Sequence, residues 1–143
     1  MGLDMFITKK TYIMERDRPR IEVTGVKGVI GKYVTTIEEE VAVWRKANAI
    51  HQWFVENVQH EEDDCNDHRF THEKMEELLE TVNDVLKDHN KAEELLPTQG
   101  GFFFGSIVYD DYYYEDLKYT KEALEEILKN YSKESSYYYC SSW

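Results

Sequence analysis

Four polar side chains crowd the edge of one apolar stripe between Trp44 and Val58. At helical spacing Trp44, Ala47, Ile50, Phe54, Val55 and Val58 line up on one face. His51 falls within that stripe, and Arg45, Asn48 and Gln52 lie beside it. A guanidinium is suited to phosphate because its planar fork makes two parallel charge-assisted hydrogen bonds. Amides and an imidazole read polar edges, and an imidazole paired with a remote carboxylate could act as a general base. Such groups are costly to bury without partners. Either the fold satisfies them, Arg45 through a carboxylate and His51 through a backbone carbonyl, or a ligand does.

Two further stretches could share such a site. Thr98, Gln99 and Gly100 precede Gly101 and three consecutive phenylalanines, Phe102 to Phe104. Paired glycines let backbone N–H groups approach a ligand, and a ring such as Phe103 offers a stacking face. A strand points alternate residues one way, so all three rings cannot enter one core. The run lacks the Gly-Lys-Ser/Thr ending of a phosphate loop and the G-x-G-x-x-G spacing. Tyr109, Tyr112 and Tyr113 alternate with Asp110 and Asp111 at a helix start, where phenols and carboxylates could hold a ribose or an amino group. Otherwise they form a capping turn with tyrosines on the rim of the core. His60, Cys65 and His68 do not have the paired four-ligand spacing of a zinc site, and Asp63, Asp64 and Asp67 do not fit a calcium loop. No G-x-S-x-G or related nucleophile signature is present, and no pattern calls for a cofactor.

The elements that must position these residues read as α+β: a small, mainly antiparallel sheet with about three helices on one face, in a single domain over 1–143. Residues 3–14 form a first strand. Arg16 to Arg20 is a charged turn, and Ile21 to Val29, broken by Gly25 and Gly28, suggests short strands or a hairpin. Tyr33 to Val43 is ambiguous between strand and helix, and a helix is expected from about Trp44 to Val58. After the acidic loop 60–68, Thr71 caps a helix with Met75, Leu78, Leu79, Val82, Val85 and Leu86 on one face, and a short piece ends at Leu96 before Pro97. Phe102 to Tyr109 is expected as a strand. Asp110 or Asp111 caps a helix bearing Tyr113, Leu117, Thr120, Leu124, Ile127, Leu128 and Tyr131. Tyr137 to Cys140 reads as a last strand beside the first, because its β propensity is high and Trp143 is too apolar for water.

The net charge of −12 argues against direct binding to nucleic acid and to anionic membranes. No apolar run of spanning length and no signal peptide is expected. Two cysteines, Cys65 and Cys140, make no disulfide framework, so a reduced cytoplasmic setting is expected. Eleven tyrosines suggest a half-wet binding surface, and exposed aromatic surface makes a homo-oligomer an expectation.

The Met1–Met5 opening, Trp44 to Gln59, Asp64-Cys65, Leu95 to Gln99, Phe102 to Ser106 and the final Ser141-Ser142-Trp143 together resemble a family of small uncharacterised proteins carried by bacteriophages and prophages. The resemblance implies a phage accessory protein acting in the bacterial host cytoplasm, where such proteins counter host defence. The leading expectation is a non-enzymatic protein that sequesters a nucleotide-like small molecule, a host immune signal. Arg45 would meet phosphate, Asn48, His51, Gln52, Thr98, Gln99 and Gly100 would read polar groups, and Phe103, Tyr109, Tyr112 and Tyr113 would supply rings. The alternatives are an acidic protein–protein inhibitor of a host defence protein and a small nucleotide-processing enzyme.

Overall fold

Alternating apolar and polar residues make Asp4–Tyr12 the strand β1, with Met5 and Ile7 fully buried on one face. The computed structural model describes residues 2–143. Thr36–Arg45 is β2, Asn48–Asn57 is α1, His68–Arg69 is the two-residue β3 and His72–Lys87 is α2. Ala92–Leu95 is the single-turn α3, Asp111–Lys129 is α4 and Ser135–Ser142 is β4. The sheet runs β2-β1-β4-β3, and every neighbouring pair is antiparallel. The fold is therefore α+β, and the last strand lies beside the first as its residue pattern indicates.

One face of the sheet carries Met5, Ile7, Ala42, Trp44, Tyr137 and Tyr139 into a core shared with all three long helices. Phe54 of α1 stacks flat on Tyr139, with centroids 3.8 Å apart and planes 3° from parallel. Such a pair adds about 1 kcal/mol beyond the area it buries. α2 contributes Met75, Leu78, Val82 and Val85, and α4 packs against it through Leu117, Leu124 and Ile127. Both helices start where capping chemistry places them. The Thr71 hydroxyl accepts from the Lys74 N–H, and the Asp110 carboxylate accepts from the Tyr113 N–H.

Three expected elements are different. Trp44 and Arg45 belong to β2, not to a helix, because Ala42 and Trp44 face the core with strand alternation while β1 pairs alongside. Only from Asn48 does the stripe become helical. Residues 21–29 form no strand: short 3-10 helices over Glu15–Arg20 and Gly31–Tyr33 flank a connection that bends and turns at residues 25–28. Phe102 to Tyr109 is an irregular loop, with Gly105 at φ 81°. Phe102 is 95% exposed, whereas Phe104 packs edge-on against His51. The three rings do point different ways, but in a loop rather than a strand.

Trp143 is held rather than loose. Its indole N–H donates to Asp63 at 3.2 Å, and its ring meets Phe104 edge-on. Among the described residues, no helix is long and apolar enough to cross a membrane.

Candidate functional site

β2 delivers Arg45 and Lys46 to the start of α1 through a two-residue turn. Lys46 takes the left-handed conformation, φ 58°, which ordinarily costs a side-chain-bearing residue about 1 kcal/mol or more. Its backbone N–H donates to Leu3 at 2.7 Å, and its carbonyl accepts from Asn48 at 2.9 Å. Gly105 approaches so closely that a Cβ there would lie 3.2 Å from that of Lys46. Ala47, the residue before α1, has no side chain that could cap the helix. The first turn of α1 therefore begins beside two cations with no side-chain cap, although the Asn48 N–H is taken by the Lys46 carbonyl.

This turn opens into a cavity of about 310 Å³. One wall is Arg45, Lys46 and the residues Ala47 to Ile50. The opposite wall comes from the first half of α4: Asp110, Tyr112, Tyr113 and Asp116, with Leu117 behind. Thr98, Gly105, Ser106 and Val108 complete the rim. The Trp44 indole donates to the Thr120 hydroxyl at 2.8 Å, and that hydroxyl donates to the Asp116 carbonyl at 2.6 Å. This chain fixes α4 against β2, and so sets the distance between the two walls.

The cavity is electrostatically divided. Arg45 is exposed and lies 3.5 Å from Asp4, a surface pair worth little in stability. Opposite it, burial and the neighbouring Glu115 and Asp110 raise the Asp116 carboxyl to about 6. It is therefore an acceptor at neutral pH that takes up a proton under mild acidity. Tyr113 is buried and donates to the Leu96 carbonyl at 2.7 Å. Desolvation raises its phenol to a value far above physiological pH, so it stays neutral. Tyr112 is exposed and presents a free ring.

The cavity thus joins Arg45, Asn48, Thr98, Asp110, Tyr112 and Tyr113, which the sequence singles out, with Asp116 from the same acid-and-phenol run and with Lys46, which the sequence does not single out. A signal for Asp116 was present, because an acid beside Tyr113 and Leu117 on the core stripe of a helix is unusual. Lys46 is marked by its backbone conformation alone.

Several of the expected site residues, Asn48 of the cavity lining included, serve the fold. Asn48 is buried, and its amide is fully spent: it donates to the carbonyls of Phe104 and Ser106 and accepts from the Gln99 N–H, all within 2.9 Å. It staples the 98–106 loop to α1. His51 is completely buried between Tyr139, at 2.6 Å from Nδ1, and Asp63, at 2.9 Å from Nε2. A carboxylate only accepts, so Nε2 carries the proton and the Tyr139 hydroxyl donates to Nδ1. Burial lowers the His51 pKa, although Asp63 pulls the other way. Gln52 bonds Glu56 along the helix surface. Gly100 lies against Ile107, and Tyr109 accepts from the Thr98 N–H. The Phe103 carbonyl accepts from Leu3, and its ring meets Phe102.

Comparison with protein-family models, with curated proteins and with solved structures finds no match to this chain.

His68 donates to Asp64 at 2.6 Å, and that bond, with one from the Asn66 N–H, holds the Asp64 carboxyl down at about 2. Among the described residues, no three His, Cys, Asp or Glu side chains converge as metal ligands.

Proposed function

We propose that the protein binds a small nucleotide-like molecule in the cavity between β2, α1 and α4 and sequesters it unchanged. One observation carries this reading: the uncapped start of α1, flanked by Arg45 and Lys46, opens into a cavity whose far wall holds two carboxylates and a free phenol ring. A helix N-terminus with adjacent cations suits a phosphate. Asp110 and Asp116 suit the N–H edge of a base or a ribose diol, and Tyr112 offers a stacking face. The volume matches a small ligand. The −12 net charge does not oppose an anion here, because nearby cations and dipoles outweigh screened distant charges. The resemblance to phage accessory proteins makes a host immune signal the proposed physiological ligand and the bacterial cytoplasm its setting.

The test is to purify the protein from bacterial lysate with signalling defences active, release bound small molecules by heat and analyse them by mass spectrometry. An intact phosphate-bearing species near stoichiometry is expected. Arg45→Ala/Lys46→Ala should release none of it, while thermal unfolding stays within about 1 kcal/mol of wild type because both side chains are exposed. An empty protein that a nucleotide panel fails to stabilise thermally overturns the reading.

A further inference from the structure

In the connection between β1 and β2, residues 13–35, Ile13 is the single buried residue. Its two short 3-10 helices contain no buried residue and pack chiefly on each other. Yet it is a folded arm. Its base is closed by a hydrogen bond from the Ile13 N–H to the Thr35 carbonyl at 2.8 Å. Gly31 lies so tightly against the Ile21 carbonyl that a Cβ would meet it at 1.7 Å. Only glycine permits that backbone approach.

The arm turns its apolar residues outward. Val26, Val29, Ile30 and Tyr33 are all exposed, and Met14 and Tyr12 extend the surface toward the sheet. An apolar run of this kind on an ordered element marks an interaction surface. Its charge is distinct as well. The arm's 23 residues hold five Lys and Arg against three Asp and Glu, a net +2, whereas the remaining 120 hold twelve against twenty-six, a net −14.

We infer that the arm docks on the acidic body of a second copy of this chain. Charge complementarity chooses the occupant: a weakly basic, apolar arm meets a strongly acidic surface that every copy carries. An arm of this length is about what one side of a standard interface supplies, roughly 20–30 residues. Pairing of β2 edge to edge is disfavoured, because Glu38, Glu39 and Glu40 would face their own like charges. The contact therefore runs from arm to body. This inference stands apart from the ligand reading and needs no molecule in the cavity.

The test is sedimentation equilibrium of the full chain over a concentration series. A mass that is a multiple of 17.1 kDa is expected, together with weaker association at high salt. Val29→Asp/Ile30→Asp should return the mass to that of one chain with an unchanged circular dichroism spectrum, since neither side chain is buried. Arg20→Glu/Lys27→Glu, which leaves the apolar residues in place, should weaken association about tenfold or more. A wild-type protein that stays at 17.1 kDa throughout overturns the inference, as does an assembly that both variants leave intact.

Discussion

His51 shows why a polar residue on an apolar stripe is a poor guide to a ligand when its partners are distant in sequence. Asp63 and Tyr139 both hydrogen-bond its ring, twelve and eighty-eight residues away. The outcome is a directed chain, tyrosine hydroxyl to imidazole to carboxylate, with every ring nitrogen satisfied. His51→Ala removes both bonds, orphans the buried Tyr139 hydroxyl and leaves a void beside Phe104. Loss of about 3 kcal/mol is expected on urea unfolding. Ligand release from the folded fraction should be unchanged, because the ring does not line the cavity. The notable residue types between Arg45 and Gln52 were legible in the sequence. Their division into site and scaffold was not, because it depends on contacts such as Asn48 to Phe104 and Ser106, which no local pattern encodes.

At the scale of elements, legibility followed the range of the deciding interactions. The starts of α2 and α4 were visible because caps act over three residues, as Thr71 to Lys74 and Asp110 to Tyr113 do. β4 was visible because its run of tyrosines has high β propensity, a signal carried by neighbouring residues alone. The β2–α1 boundary was hidden because Trp44 fits the strand and the helical stripe equally well. The 102–109 loop was hidden because an amide on another helix pins it. The two caps also allow a controlled comparison. Thr71→Ala and Asp110→Ala should each cost about 1 kcal/mol, read as a melting temperature a few degrees lower. Only Asp110→Ala should also weaken retention of the small molecule released by heat, since Asp110 alone of the two borders the cavity.

For the whole molecule, the dependence of stability on pH combines two buried groups shifted in opposite senses. Burial lowers the His51 pKa, so below about pH 6.5 the unfolded chain takes up a proton that the folded chain resists. That contribution is complete above pH 6.5 and is lost as pH falls. Asp116 is raised to about 6, so the folded chain binds its proton first. Its contribution is complete below the ordinary carboxylate range and is lost as pH rises through about 6. Below about pH 6 the two slopes oppose each other where both groups titrate, and the wild-type profile is flattened there. Asp116→Asn removes one of them. The variant should match wild type near pH 4, gain on it as pH rises, and level off above pH 7 at an advantage on the order of 1–2 kcal/mol. That figure discounts the full shift because the carboxyl borders an open cavity. The −12 net charge adds a general repulsion that eases on acidification, but it acts almost equally on both proteins and cancels in their difference. Parallel denaturant unfolding from pH 4 to 8 measures that difference directly. A gap that stays constant across the range would show that the Asp116 carboxyl titrates as an ordinary surface acid. The far wall of the cavity would then be more fully hydrated than its packing against Leu117 implies.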